Sequence, residues 1–203
     1  MKKIALALAL AAIGMSATQA MAEDSPWMVR ARAVNISPAN GSDPVTGVGA
    51  ADRITVSTKT IPEVDISYFL TPNWSAELIL TYPQKHNVYL DGANIGTFKH
   101  LPPTLTAQYH FAPEAKVSPY LGAGINYTRI SNVNLLSGSG DLNQDSWGLA
   151  VQAGIDFKID KNWSLNFDIK KVQIRSDVYL SGAKISNVKV DPVLVGVGVG
   201  YRF

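Results

Sequence analysis

The chain has no cysteine, which excludes a disulfide-stabilised scaffold. Beyond its first 22 residues it also lacks an apolar run long enough for a transmembrane helix. Charge is nearly balanced, with 18 Lys and Arg against 16 Asp and Glu, and removing Lys2 and Lys3 with a leader brings the net charge to about zero. This balance argues against an electrostatic search for nucleic acid. If the mature chain lies in a membrane, it must do so as a closed barrel.

The N-terminus has the anatomy of a secretory signal peptide. Lys2 and Lys3 form a basic region, residues 4–15 are an apolar run too short to span a bilayer, and Ala20-Met21-Ala22 offers a small-x-small cleavage site. We expect cleavage after Ala22 or Ala20. Residues 1–22 are therefore predicted to be a signal peptide, and residues 23–203 a single β-barrel domain.

The strongest signal in the mature chain is a two-residue period. In "SWGLAVQAGIDFKID", residues 146–160, every odd-numbered position is apolar or aromatic, and "DPVLVGVGVGYRF", residues 191–203, repeats the pattern. Such alternation predicts strands with one apolar face. Extended along the chain, it predicts eight strands over residues 27–38, 52–70, 74–90, 98–111, 117–133, 145–160, 163–180 and 187–203.

Alternation alone does not decide which face is inside, because a soluble calyx and a membrane barrel share it. The less apolar face is dominated by Gly, Ala, Ser and Thr with scattered charges, which suits the narrow, polar interior of an eight-stranded barrel. Aromatic residues collect near one end of the strands, at Trp27, Tyr68, Trp74, Tyr109, Phe111, Trp163, Tyr201 and Phe203. The short connectors lie at this same end, as on the periplasmic side of outer-membrane proteins. The sequence therefore predicts an all-β, eight-stranded antiparallel transmembrane barrel of the outer-membrane type.

Several segments carry a resemblance to a known family. They are "HLPPTL" (100–105), "PYLGAGINYT" (119–128), "DSWG" (145–148), "NW" (162–163) and "DP…GYRF" (191–203). In this order they resemble the OmpW family of small outer-membrane proteins, which includes AlkL-like alkane-uptake barrels. The resemblance implies a bacterial outer-membrane location, contact with outer-membrane lipid and passive uptake of small hydrophobic substrates that leave sideways through the barrel wall. Tyr201 and Phe203 look like the C-terminal signal read by the barrel-assembly machinery during insertion.

Polar residues on the inward face lie at a common height, three to five residues above the short-turn end. We predict that they form one periplasmic-side layer, made of Arg30, Arg32, Asp65, Glu77, Gln108, Asp156 and Asp168. Buried charges persist only when they are paired or hydrogen-bonded, so opposite signs at one level predict interlocking. Such a layer either simply stabilises the interior or also blocks passage straight through the barrel.

Above this layer the inward positions become less polar, at Ile61, Ile79 and Leu194. The resemblance implies that Ile79 narrows the channel, and that a residue of the seventh strand faces it. In this chain that residue is Lys170, which argues against a purely hydrophobic gate and allows an ion pair with Asp168 or Asp156. We therefore expect a lumen constriction of these four residues, serving in either packing or binding.

Prolines recur in three neighbouring strands at one level, roughly 20 Å above the periplasmic end. They are Pro62, Pro83 and the pair Pro102-Pro103, which follows Leu101. Each removes a ladder donor, and unpaired backbone in lipid costs several kcal/mol unless something satisfies it. One interpretation is a weakened seam that serves as a lateral exit. The other is that the prolines merely end the membrane portion and bend the strands outward.

Other functions remain open at this level. A structural or interaction barrel, acting as a surface receptor through loops 39–51 and 137–144, fits the same fold. An enzyme is not expected, because Ser, His and Asp occur in no recognisable catalytic spacing. His86 and His100 approach each other across two strands, but no third ligand stands at suitable spacing, so we expect neither a metal nor another cofactor.

Overall fold

The computed structural model describes residues 25–203, so the predicted signal peptide, residues 1–22, lies outside the described residues. Two short 3-10 turns cover Val45–Gly47 and Leu136–Gly138. The strands are β1 (Trp27–Ser37), β2 (Gly41–Ser42), β3 (Ile54–Val56), β4 (Lys59–Phe69), β5 (Trp74–Leu80), β6 (Gln84–Leu90), β7 (Ala93–Leu101), β8 (Thr104–His110), β9 (Val117–Leu135), β10 (Gly140–Leu142), β11 (Asp145–Lys158), β12 (Trp163–Val172), β13 (Arg175–Leu180), β14 (Ala183–Lys189) and β15 (Val193–Arg202). Among these residues no helix is long and apolar enough to cross a membrane.

Eight of the strands close into an antiparallel barrel, which confirms the predicted fold class. Around the wall the order is β1-β4-β5-β8-β9-β11-β12-β15, each strand pairing with the next. The ladder between β15 and β1 closes the ring. Closure matters in a membrane because it leaves no unpaired sheet edge in lipid.

The two faces of the wall differ as the alternation predicts. On β11 the outward side chains of Trp147 and Leu149 are 71% and 65% exposed, whereas the neighbouring inward Ala150 and Gln152 are buried. At the short-turn end the outward aromatic rings pack edge to face in pairs, with centroids 4.8–5.1 Å apart: Trp27 with Tyr68, Trp74 with Tyr109, Tyr109 with Phe111, Trp163 with Tyr201, and Tyr201 with Phe203. This girdle marks one edge of an apolar belt.

Several predicted strands are interrupted, because the wall does not continue as one sheet beyond the belt. Residues 74–90, predicted as one strand, form β5 and β6 with a break at residues 81–83. The other corrections are of the same kind: 52–70 is β3 and β4, 98–111 is β7 and β8, 163–180 is β12 and β13, and 187–203 is part of β14 and all of β15. Three of these five breaks contain a proline, which gives the ladder no N–H.

Two segments expected as loops, residues 91–97 and 181–186, are mostly strand. Asp91-Gly92 joins β6 to β7, and Ser181-Gly182 joins β13 to β14. All four residues have positive φ, between 50° and 84°. Consecutive positive φ values are typical of the tight type I′ hairpin turn, for which Gly is favoured at the second position. Gly92 and Gly182 therefore belong to two-residue turns.

These additional strands extend the barrel at the end opposite the short turns, which we call the hairpin end. Their inward apolar side chains join those of the upper wall in one cluster: Val34, Ile36, Ile54, Val56, Ile61, Val88, Phe98, Ile130, Leu135, Leu142, Ala150, Val172, Ile174, Val178, Val188, Val190 and Leu194. The interior thus has a polar half near the short turns and an apolar half near the hairpins. We call them the lower lumen and the upper lumen.

Candidate functional site

Arg30 on β1 crosses the lower lumen and binds carboxylates on two other strands. Its guanidinium lies 2.7 Å from Glu77 on β5 and 2.8 Å from Asp156 on β11, and it also donates to the Ser67 hydroxyl at 2.9 Å. All of these side chains are buried. Charge-assisted bonds that converge from opposite walls hold the barrel interior closed at this level.

Arg32, one inward position higher, makes a second set of contacts. It lies 2.6 Å from Asp65 and 3.4 Å from Glu63 on β4. It also donates to Asn166 at 2.7 Å and to the Tyr120 hydroxyl at 3.1 Å. Tyr120 in turn donates to Asp168 at 2.8 Å, so residues of four strands are linked through one guanidinium.

Lys170 on β12 forms the top of this layer. Its ammonium lies 2.5 Å from Glu63 and 3.1 Å from Asp168, and the side chain is almost fully buried. Lys170 also borders the first apolar cavity above it. It therefore belongs to both halves of the lumen, pairing with Asp168 rather than with Asp156.

We call this set the ion-paired layer: Arg30, Arg32, Glu63, Asp65, Glu77, Asp156, Asp168 and Lys170. It holds five carboxylates and three cations, so acid is in excess. Gln108 lies beside it and accepts a hydrogen bond from Ser75 at 3.2 Å. Sequence reasoning missed Glu63, Tyr120 and Asn166. Strand parity would have found Glu63, because it stands between the inward Ile61 and Asp65 at two-residue spacing.

The upper lumen begins directly above the ion-paired layer. Ile61, Ile79 and Leu194, the other predicted constriction residues, are buried and line a narrow cavity of about 30 Å³ with Lys170, His100 and Pro102. A second cavity of about 30 Å³ lies among apolar residues of the hairpin strands, including Ile54, Phe98 and Ile130. Side chains of the same apolar cluster line both cavities.

The wall beside the upper lumen is interrupted where three strands carry prolines. The β4–β5 ladder ends at Val64 and Leu80, and the β5–β8 ladder ends at Ile79 and Thr104. Pairing resumes only at Gln84, which faces His100 across β6 and β7. We call the intervening backbone the wall interruption. Its residues are 60–63 of β4, 81–83, and 101–103, which include Pro62, Pro83, Leu101, Pro102 and Pro103.

Side chains replace ladder bonds within the wall interruption. Thr81 donates its hydroxyl to the carbonyl of Pro62 at 3.1 Å. Asn126 donates its amide to the carbonyls of Pro102 and Pro103 at 3.3 and 3.2 Å. Lys59 donates to the carbonyl of Lys85 at 3.3 Å. The Pro103 carbonyl also accepts from the backbone N–H of Tyr127 at 3.1 Å. The bonds that cross between the proline-bearing strands therefore come in part from side chains, which rotate about single bonds, whereas an intact ladder fixes both strands.

The three histidines lie in two places. His110 is at the short-turn end, buried between Phe69 and Tyr120, with its Nε2 3.2 Å from the Ser75 hydroxyl. His86 and His100 stack at the hairpin end, with ring centroids 4.7 Å apart and planes inclined by 17°. Within residues 25–203, no group of three or more His, Cys, Asp or Glu side chains is arranged to hold a metal ion.

Tyr201 and Phe203, the predicted insertion signal, complete the aromatic girdle. Tyr201 packs on Trp163, and its other face meets Phe203. The backbone N–H of Phe203 donates to the carbonyl of Trp27 at 3.1 Å, which ties the C-terminus to the first strand.

Comparison with known proteins gives consistent matches. A family model described as the OmpW family matches residues 23–203. The chain is 42% identical over 186 residues to an uncharacterised outer-membrane protein, y4mB, of Sinorhizobium fredii, covering 88% of this chain and 80% of that protein. It is 31% identical to outer membrane protein W of Escherichia coli over the whole of both chains. The crystal structure of OprG from Pseudomonas aeruginosa superposes with a TM-score of 0.79 at 27% identity, covering 89% of this chain and 97% of that one.

Two further similarities are to a protein named for an operon of dibenzothiophene metabolism and to the outer membrane protein AlkL. The chain is 29% identical to the dibenzothiophene metabolism operon protein PahQ of Pseudomonas aeruginosa, covering 92% of this chain and 93% of that protein. The solid-state NMR structure of outer membrane protein AlkL in lipid bilayers superposes with a TM-score of 0.71, covering 92% and 94% of the two chains. At 21% identity the latter shows a shared fold alone.

Proposed function

The chain belongs to the OmpW family and lies in the bacterial outer membrane, and from this premise we propose that it admits small hydrophobic molecules passively across the outer leaflet. Such a molecule enters at the hairpin end, occupies the upper lumen, and leaves sideways through the wall interruption into the membrane. The ion-paired layer below prevents it from continuing straight to the periplasm.

One observation carries this proposal: an apolar compartment lies above the ion-paired layer, and the wall beside the apolar compartment is interrupted at the proline level. Passage down the axis would separate Arg30 or Arg32 from buried carboxylates, which costs several kcal/mol per uncompensated ion. Passage sideways displaces apolar contacts and a few side-chain hydrogen bonds, each of which contributes about 1 kcal/mol. The sideways route is therefore the one with the lower barrier.

The size of the upper lumen fits a gate rather than an open pore. Its cavities of about 30 Å³ are smaller than a hydrocarbon molecule, so Ile61, Ile79 and Leu194 must move apart to admit one. Aliphatic side chains on a wall whose ladder is already broken on one side rearrange without breaking backbone pairs. PahQ supports the substrate class, because its name connects it with dibenzothiophene, an apolar aromatic compound.

A block placed inside the upper lumen tests the proposal. Leu194→Trp adds an indole to the filled constriction, while Val195→Trp places the same group on the lipid-facing side of the next position, where Val195 is 55% exposed. Barrels that show normal heat-modifiable migration are reconstituted in liposomes, and the uptake of radiolabelled octane is measured. Leu194→Trp should abolish protein-dependent uptake, and Val195→Trp should leave it unchanged.

The same experiment separates the receptor alternative. A barrel that acts only by presenting its hairpins to a partner predicts equal octane uptake for the wild type, both variants and protein-free liposomes. That result, obtained with correctly folded barrels, would overturn the uptake proposal.

A further inference from the structure

His100 is a polar side chain in an apolar compartment. It is 2% exposed and borders the cavity formed by Ile61, Ile79 and Leu194. Within residues 25–203 its Nδ1 has no hydrogen-bond partner. A buried imidazole nitrogen without a partner costs free energy that a phenylalanine at the same position would not, so the residue calls for an explanation other than packing.

Two neighbours of His100, the side chains of His86 and Gln84, also carry a buried polar atom without a hydrogen-bond partner in the described part of the chain. His86 donates from Nδ1 to the Ser57 carbonyl at 2.8 Å, which leaves Nε2 as a lone-pair acceptor with no partner in the described part of the chain. Gln84 donates from Nε2 to the Tyr82 carbonyl at 2.9 Å, and its Oε1 is likewise unpaired among the described residues. Gln84 and His100 face each other directly across β6 and β7. Three buried polar groups thus lie together at the upper edge of the wall interruption.

A shared metal ion does not fit these groups. The two imidazole rings are stacked, with planes inclined by only 17° and centroids 4.7 Å apart. Their lone pairs therefore lie in nearly parallel planes, whereas a metal needs both nitrogens about 2.0–2.1 Å away with the ion in each ring plane. Hydrogen bonds do not require such a common point, because one hydroxyl oxygen accepts from one group while its hydrogen goes to another.

The groups also determine the charge of a suitable ligand. Burial, together with the nearby His86 and Lys59, lowers the pKa of His100 to about 3, so its ring is neutral at physiological pH. His86 and Gln84 present acceptors, which repel a carboxylate and attract an O–H hydrogen. The neutral ring of His100 has one donor and one acceptor. A hydroxyl fits this set, because its oxygen accepts from the N–H of His100 and its one hydrogen is donated to one of the two acceptors, His86 or Gln84.

We propose that His100, His86 and Gln84 bind the hydroxyl headgroup of an alcohol or phenol whose apolar body lies in the upper lumen. The inference rests on the proposed uptake function for its biological purpose, and it narrows the substrate class from hydrocarbons in general to their hydroxylated derivatives. The site lies at the upper edge of the wall interruption. A ligand whose hydroxyl is bound there has its apolar body beside the wall interruption.

Histidine NMR tests the site directly, because the chain has only three histidines. The barrel is labelled with ¹⁵N-histidine, placed in lipid nanodiscs and titrated with 1-octanol or with octane. The imidazole resonances of His100 and His86 should shift saturably with 1-octanol and not with octane, while those of His110 at the opposite end stay fixed. Octanoate should give no saturable shift.

Variants separate recognition from folding and from transport. His100→Phe keeps an aromatic ring on His86 and should reduce the preference for 1-octanol over octane about tenfold, while His100→Gln restores part of it and His110→Phe leaves it unchanged. If 1-octanol leaves His100 unshifted, or if octane shifts it equally, the hydroxyl site is wrong even when Leu194→Trp still blocks octane uptake. If Leu194→Trp fails to block uptake but 1-octanol binds, the site stands and the uptake proposal fails.

Discussion

The lower and the upper lumen are built on the same eight strands but are closed by opposite means. In the lower lumen, Arg30 and Arg32 bind carboxylates of other strands at 2.6–2.8 Å. In the upper lumen, aliphatic side chains such as Ile79 and Leu194 meet around narrow cavities, and the adjoining ladder is broken. Ionic closure is costly to open because each separated charge stays buried, whereas apolar closure opens wherever another apolar group takes its place.

The uptake route that we propose depends on this contrast, because it requires a barrel that is closed along its axis and opens through its side. A gate for hydrophobic molecules must be apolar itself, since a polar constriction would have to lose its hydrogen bonds at each passage. A seal against water and ions must be saturated with polar contacts. The chain separates these demands by height, and Lys170 is the residue at which the two halves meet.

Removing Arg32 should have the largest effect on this contrast. Arg32→Met leaves Asp65 buried without the cation that lies 2.6 Å away, and it leaves Glu63 with Lys170 alone, in a layer where acid is already in excess. We expect a loss of about 3–5 kcal/mol in the free energy of unfolding, measured by urea denaturation in lipid vesicles. Asp65→Asn should lower the free energy of unfolding by less, because it relieves the excess of negative charge in the layer. Lys161→Met, on an exposed turn, should change the free energy of unfolding by less than about 0.5 kcal/mol. Equal losses for Arg32→Met and Asp65→Asn would contradict the charge argument.

A smaller change at Gly154 tests the geometry of the lower lumen without removing any charge. A Cβ at this position would lie 2.3 Å from Cζ and from the hydroxyl of Tyr120, which connects Arg32 to Asp168. Gly154→Ala must therefore displace the tyrosine, and we expect a destabilisation of about 1–3 kcal/mol in the same urea experiment. Ala153→Val, on the outward face next to it, serves as the control and should be nearly neutral. An unchanged Gly154→Ala barrel would mean that Tyr120 is not held in place.

Hydrogen exchange in the unaltered protein compares the intact ladder of β5 with the wall interruption that follows it. Leu78 and Ile79 belong to ladders on both sides of β5, whereas Thr81 and Tyr82 lie within the wall interruption. We expect the amides of Thr81 and Tyr82 to exchange about tenfold faster or more, as read by mass spectrometry on barrels in nanodiscs. Equal protection of the two pairs would show that the wall interruption is as firmly closed as the intact ladder beside it.

The last prediction concerns the protonation of His100, for which we expect no change over the usual pH range. Because burial with His86 and Lys59 lowers its pKa to about 3, its ¹⁵N resonances should keep their neutral positions from pH 8 down to about pH 5. In the unfolded chain the same histidine is protonated below about pH 6.5. The free energy of unfolding therefore falls as the pH drops below about 6.5, until His100 is also protonated in the folded barrel near pH 3. A midpoint near pH 6.5 would show that His100 is solvated rather than buried in the upper lumen.

The barrel and the polarity of its two faces follow from the sequence because alternation is local: successive side chains on a strand point to opposite faces. The same parity places Arg30, Asp65 and Asp156 inside, although the choice of partner does not follow from it. Lys170 pairs with Glu63, 107 residues away, and strand order and register decide such a meeting. The interrupted strands escaped prediction because a proline weakens a ladder without revealing whether the chain continues beyond it.

From the sequence alone came the number of strands, the lipid-facing surface and the presence of inward charges, since each depends on the two-residue period of a strand. Only the tertiary structure decided which charges pair, how the hairpin strands enclose an apolar compartment, and that His86, His100 and Gln84 lie together beside it. These depend on register and on the curvature of the closed wall. Residues such as Pro62 and Pro103 are far apart along the chain, and the pairing of β4, β5 and β8 brings them to the same part of the wall.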